Sequence, residues 1–178
     1  MPLTVLIGGA RSGKSELALR LAARAGSPVV FVATAEALDD EMAARIARHK
    51  LERDPAWGLV EEPLEVERAL REAAPSACVV LDCLTLWIAN LMGSGLSDGA
   101  LEARARGALS AACARPGPTV AVTNEVGSGI VPADPATRRY RDLLGRVNSL
   151  WARAAERPLL MTAGHVVPLQ RMDELVDG

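Results

Sequence analysis

The chain has 178 residues, enough for one domain with a real core and too few for two comfortable ones, so residues 1–178 read as a single domain. With 49% apolar and 24% charged residues and a net charge of −2, it has the composition of an ordinary globular protein, which excludes collagenous and disordered classes and implies no polyanion partner. Aromatic residues, at 3%, are too few for a base-stacking surface, which argues against a nucleic-acid ligand.

The first element is a short apolar run, Leu3 to Ile7, that suits a buried strand. It leads directly into Gly8-Gly9-Ala10-Arg11-Ser12-Gly13-Lys14-Ser15, which fits G-x-x-x-x-G-K-[ST]. Glu16 to Ala25 then reads as a helix, so the motif has the strand before it and the helix after it that a phosphate-binding loop requires. In that arrangement Lys14 reaches the β- and γ-phosphates of a nucleotide, and the Ser15 hydroxyl sits on Mg²⁺. The loop specifies a nucleoside triphosphate and no particular reaction.

Further runs rich in Val, Ile and Leu follow at Val29–Thr34, Cys78–Leu84, Thr119–Thr123 and Leu159–Thr162. Each is nearly continuous in hydrophobicity, as expected of parallel strands covered on both faces, and the segments between them are long enough for helices. The expected architecture is a doubly wound α/β sheet. Gly93-Ser94-Gly95 and Arg115-Pro116-Gly117-Pro118 mark loops.

After the second run, Asp39-Asp40-Glu41 opens a helix expected to reach about Arg53, where Asp54-Pro55 ends it. Met42, Ile46 and His49 share one stripe of this helix, which turns cationic at Lys50 and Arg53. His49 has two readings. It is a half-buried histidine at an apolar helix edge, or it is a nucleophile flanked by phosphate-binding cations. The pattern alone does not choose between them.

Within the third run, the strand Cys78-Val79-Val80-Leu81-Asp82 ends in an acid, as a Walker B strand does, which places the Asp82 carboxylate toward Mg²⁺ with Ser15. The helix after it carries Trp87, read as packing or a subunit contact. The fourth run leads into Asn124-Glu125-Val126-Gly127, polar groups at a strand's carboxyl end, where an open parallel sheet binds its ligands. They orient a substrate hydroxyl or a metal-bound water, or they belong to a capped glycine-rich loop. No Asn-Lys-x-Asp guanine signature of regulatory GTPases is present. Arg138, Arg139 and Arg141 are expected to precede an amphipathic helix bearing Leu143, Leu144, Val147, Leu150 and Trp151. The three cysteines, Cys78, Cys83 and Cys113, form neither a disulfide framework nor a zinc pattern and are expected reduced and mostly buried. Arg11, Lys14 and Glu16 within the first apolar stretch do not suit a signal peptide, so the expected location is the cytoplasm, without membrane insertion.

Taken together, the phosphate loop, Ala33-Thr34-Ala35, Asp39-Asp40-Glu41-Met42 with Arg45-Ile46 and His49-Lys50, Trp57, Asp82-Cys83-Leu84-Thr85, and Asn124-Glu125-Val126-Gly127 with Gly129-Ile130-Val131-Pro132 resemble one family. That family is the bifunctional adenosylcobinamide kinase/adenosylcobinamide-phosphate guanylyltransferase of cobalamin biosynthesis. The resemblance covers nearly the whole chain and implies a mostly parallel sheet of the P-loop, RecA-like type. It implies two reactions: phosphorylation of adenosylcobinamide by ATP or GTP, then transfer of GMP from GTP through a guanylyl-histidine to adenosylcobinamide phosphate. The family's nucleophile falls on His49, with Lys14 as the second catalytic group. Its nucleotide contacts fall on Gly8, Gly9, Ala10, Arg11, Ser12, Gly13, Lys14, Ser15, Ala33, Thr34, Ala35, Lys50, Leu51, Glu52, Arg53, Glu61 and Asp82. The resemblance also implies a homotrimer, and it carries no role over to His165.

Overall fold

A computed structural model describes residues 3–176, with the backbone only at Arg45. In chain order the elements are β1 (Leu3–Gly8), α1 (Lys14–Ala23), β2 (Val29–Ala33), α2 (Asp40–Leu51), β3 (Gly58–Glu61), α3 (Val66–Glu72) and β4 (Cys78–Asp82). They continue as α4 (Leu84–Gly93), α5 (Asp98–Ala114), β5 (Thr119–Asn124), α6 (Pro135–Ala154), β6 (Arg157–Thr162), β7 (His165–Pro168) and α7 (Met172–Val176).

Alternation along the central strands explains why they are apolar throughout. Leu3, Val5 and Ile7 of β1 pack with α3, α4, α5 and α6 on one face, whereas Leu6 between them packs with Ala18 and Ala22 of α1 on the other. In β4, Val79 and Leu81 join the first cluster, and Cys78 and Val80 the second. A strand buried on both sides has no polar face to show, hence the unbroken runs.

The sheet has seven strands in the order β3-β2-β4-β5-β1-β6-β7. All its pairings are parallel except the final hairpin of β6 with β7. This is the expected doubly wound, mostly parallel α/β sheet. The register aligns two rows at the carboxyl ends of the strands. Glu61, Ala33 and Asp82 form one row, and Asn124, Gly8 and Met161 the other.

Several boundaries differ from the expectation. The two edge strands β3 and β7 were not expected, since all their residues are exposed and they carry no buried run. Helix α2 stops at Leu51, so Arg53 lies beyond it instead of continuing its stripe. Arg138, Arg139 and Arg141 sit inside α6, which starts at Pro135 behind the capping side chain of Asp134. Cys78 and Cys83 are buried, but Cys113 is exposed on the outer helix α5. Trp87 is fully buried and donates its indole N–H to Leu64 O at 2.9 Å, the packing role read for it.

Candidate active site

The phosphate loop is shaped by two local constraints. A Cβ on Gly8 would overlap the carbonyl oxygen of Met161 on β6, so only glycine lets β1 and β6 run this close where the loop begins. Gly13, at φ 96°, turns left-handed to start α1 without a side-chain cap. The first-turn N–H groups of α1 therefore remain available to an anion. Lys14 is buried and folded into the loop, where its Nζ donates to Gly9 O at 2.6 Å and lies 3.3 Å from Ser12 Oγ. Ser15 is half-buried one residue further along.

A second cluster gathers around the row Glu61, Ala33 and Asp82. Neighbouring strands are about 4.8 Å apart, so the two carboxylates flank the small Ala33 with room above it. The end of α2 fills that room. His49 Nδ1 lies 3.7 Å from Asp82 Oδ2, beyond hydrogen-bond length, and Lys50 Nζ lies 2.6 Å from Glu61 Oε1. Just past the helix, the Arg53 guanidinium stacks on the Phe31 ring with Cζ 3.7 Å from its centroid. Its Nε and Nη1 are buried without a hydrogen-bond acceptor among the described residues. That burial pulls the Arg53 pKa below its ordinary value, and the negative charges of Asp82, Glu61 and Glu52 oppose it. A buried guanidinium with unmet donors has the chemistry of a phosphate or carboxylate seat.

No described side chain of helix α2 is fully buried. Met42, Ile46 and His49 are its half-buried positions, as the stripe predicts, and its other described side chains are exposed. Asp39 caps it by accepting from Met42 N at 2.7 Å. Leu51 and Glu52, expected at the nucleotide, are exposed.

Behind these groups lies a polar frame that the sequence pattern does not reveal. Thr34 is fully buried, and its hydroxyl donates to Cys83 O and accepts from Cys83 N, both at 2.8 Å. Its backbone N–H donates to Asp82 O at 3.0 Å, and Asn90 Nδ2 donates to its carbonyl at 2.8 Å. The Thr34 side chain thus faces the Asp82–Cys83 backbone and not the open side of the sheet.

A second frame fixes the end of β5. Thr123 donates to Asn148 Oδ1 at 2.7 Å, which uses its one hydroxyl proton. In the 3.3 Å contact between Thr85 and Thr123, Thr85 is therefore the donor. Thr85 Oγ1 in turn accepts from Asn124 N at 2.7 Å, and Asn148 Nδ2 donates to Asn124 O at 2.9 Å. Glu125 N then donates to Gly8 O at 3.1 Å, tying β5 to the phosphate loop. From the other side the Ala163-Gly164 turn of the β6–β7 hairpin, with φ of 49° and 77°, presents Gly164 N to Ser12 O at 3.2 Å.

The structure thus brings most of the expected groups into two clusters at the carboxyl end of the sheet: Gly8 to Ser15 in one, and His49, Lys50, Arg53, Glu61 and Asp82 in the other. A family profile described as cobinamide kinase / cobinamide phosphate guanyltransferase matches residues 4–169, which contain both. The chain belongs to this family.

Members of the family include the bifunctional adenosylcobalamin biosynthesis protein CobP of Pseudomonas aeruginosa. It is 42% identical over 169 residues, covering 93% of this chain and 96% of that protein. The bifunctional adenosylcobalamin biosynthesis protein CobU of Escherichia coli is 38% identical over 176 residues, with coverage of 91% and 96%. Its counterpart in Salmonella typhimurium is 38% identical over 175 residues, with the same coverage. Among solved structures, an ATPase of a bacterial type III secretion system aligns at 10% identity and a TM-score of 0.49, over 99% of this chain and 53% of that one. That likeness carries no weight here.

His165, which the resemblance left without a role, is exposed, with its Nδ1 2.9 Å from Ala163 O. No described helix is long and apolar enough to cross a membrane.

Proposed function

We propose that this chain, as a single domain, phosphorylates cobinamide with a nucleoside triphosphate and then transfers GMP from GTP to cobinamide phosphate through a covalent bond to His49. The observation that carries the reading is the placement of His49 against Asp82 at the carboxyl end of β4, on the same end of the sheet as the phosphate loop after β1, with only β5 between the two strands. Phosphorylation requires attack at the γ-phosphorus, whereas guanylyl transfer breaks the bond at the α-phosphorus, so one phosphate cradle needs two nucleophile positions. The acceptor hydroxyl supplies one and His49 the other.

With Nδ1 turned toward the Asp82 carboxylate, Nε2 is the nitrogen that attacks. As the N–P bond forms and pyrophosphate leaves, the imidazole becomes cationic. A carboxylate about 4 Å away is worth about 4 kcal/mol at an effective dielectric near 20, and less with the solvent that reaches His49. The phosphate oxygen of the acceptor then displaces the imidazole, which leaves neutral with its Nδ1 proton retained.

Lys14 and the first-turn N–H groups of α1 hold the leaving phosphates, and Lys50 and Arg53 offset charge at the α-phosphorus. Ala33 and Ala35 flank the nucleotide, and Thr34 acts on it through the Asp82–Cys83 backbone. Ser15 and Asp82 are hard oxygen donors of the kind Mg²⁺ takes alongside nucleotide phosphates; they would hold that ion, which would supply neutralisation of phosphate charge. The proposal extends to a cytoplasmic homotrimer, for which the exposed Val166, Val167, Met172 and Leu175 offer apolar surface to cover.

The test is GTP labelled at its α-phosphorus. The protein acquires label that is acid-labile and base-stable, as a phosphoramidate is, and His49→Ala takes up none while it still phosphorylates cobinamide. Labelling of His49→Ala, or equal loss of both reactions in a folded variant, overturns the assignment.

A further inference from the structure

A transferred phosphoryl group must meet an acceptor oxygen held within about 3–3.5 Å, so the acceptor's seat has to border the phosphate loop. Among the described residues, a smaller and a larger cavity border that region. The smaller, of about 250 Å³, sits between α1 and the β6–β7 hairpin beside Gly13. It has no room for a macrocycle.

The larger is an open cleft of about 1030 Å³ between the segment after β5 and the outer face of α6, with Glu102 and Arg106 of α5 closing one side. It begins at Glu125, whose N–H is bonded to Gly8 of the phosphate loop. Its volume is at the upper end for small-molecule sites.

The cleft's charges are largely satisfied within the protein. Arg146 pairs with Glu102 at 2.8 Å and Asp98 at 3.1 Å, Arg141 with Asp142 at 3.1 Å, and Arg106 with Glu102 at 3.5 Å. A lining of compensated ion pairs offers donors and acceptors without a strong net field, which suits a bulky ligand bearing neutral amides better than a polyphosphate. Exposed Val131 adds apolar surface along the loop wall.

Gly145 shows that this wall is built for close approach. It stands inside the long helix α6, where glycine is less stable than alanine, and it lines the cleft. A Cβ there would meet nothing within 4 Å, so packing within the chain does not require glycine. Across the cleft, Gly129 also has open space over its Cα.

We propose that this cleft is the seat of the corrinoid acceptor, with Gly145 as the bare floor on which the ring rests and Glu125 at the end nearest the transferred phosphate. The inference rests on the cobinamide kinase reading above. The test compares wild type with Gly145→Ala and Gly145→Trp, following cobinamide binding by equilibrium dialysis, KM for cobinamide and for nucleotide, α-label on His49, melting temperature and mass in solution.

Gly145→Ala is expected to melt a few degrees higher, as a helix freed of an interior glycine does. Gly145→Trp is expected to weaken cobinamide binding and raise its KM at least tenfold, with nucleotide KM, His49 labelling and solution mass unchanged. Cobinamide affinity unchanged in Gly145→Trp overturns the proposal, and so does a change in solution mass, which assigns the face to contact between copies. If the wild type binds cobinamide in a Gly145-dependent way without phosphorylating it, the cleft stands and the kinase reading falls. Normal phosphorylation with a cobinamide KM indifferent to Gly145 leaves the kinase reading standing and rules the cleft out as the corrinoid seat.

Discussion

Replacing Thr34 by valine keeps the volume of the side chain and removes only its hydroxyl. That hydroxyl accepts from Cys83 N and donates to Cys83 O in a fully buried position. Cys83 O keeps a second donor, Trp87 N at 3.1 Å, so the loss falls mainly on the Cys83 N–H, which is left without a partner. A buried orphan of this kind costs about 1–3 kcal/mol. The expected destabilisation is about 2 kcal/mol, or about 4–8 °C in melting temperature for a chain of this size. Thr34→Ser keeps the hydroxyl and loses one methyl, for about 1 kcal/mol. Guanidinium denaturation with an unchanged m-value gives the stability. Initial rates then test the link to chemistry. Because Thr34 acts through the backbone that carries Asp82, kcat should fall in both reactions with less change in nucleotide KM, and serine should restore it. A valine variant within about 0.5 kcal/mol of wild type, or a serine variant as impaired as valine, would refute the hydrogen-bond reasoning.

Arg115 donates to the carbonyls of Leu70, Ala73, Ala74 and Ala77 at 2.8–2.9 Å and is nearly buried. Arg115→Met should therefore lose about 3 kcal/mol in a denaturant titration, and a loss below about 1 kcal/mol would remove its role as the staple at the end of α3. Tyr140 is the chain's one tyrosine, and its hydroxyl donates to Thr85 O at 3.1 Å. Burial, with a smaller contribution from Cys83, pushes its pKa up to about 12. Because the folded value lies above the ordinary 10.0, its stabilising effect is complete below pH 10 and is lost as pH rises toward 12. Phenolate absorbance in the native protein should rise only toward pH 12, and a midpoint near 10 would place Tyr140 in solvent.

The central sheet was legible because burial on both faces leaves a plain trace: continuous apolar runs at β1, β2, β4, β5 and β6. The edges were not, since β3 and β7 contribute short, exposed segments whose pairing depends on neighbours far along the chain. Periodicity correctly set His49 on the stripe of Met42 and Ile46, because a helix face is a local property. The position of Arg53 was misjudged, since Asp54-Pro55 limits how far a helix can run without requiring it to run that far. The polar frame was invisible for a different reason. Thr85 meets Thr123, and Thr123 meets Asn148, across 38 and 25 residues of sequence, and Thr and Asn occur as often in caps and turns as in buried networks. Arg115, inside a cluster of loop-forming residues, gave no sign that its Nη1 and Nη2 would bond four carbonyls.

The hydrogen bond from Gly164 to Ser12 joins the hairpin near one end of the chain to the loop near the other. Met161, just before that turn, supplies the carbonyl that allows only hydrogen at Gly8. The nucleotide site therefore has a back wall drawn from the last strands, and a fragment that kept every motif residue but stopped short of β6 would lack it. Substitutions in the hairpin turn act on the phosphate loop without touching its sequence, so for this fold the reach of the P-loop motif extends to residues that no pattern centred on Gly8 to Ser15 contains.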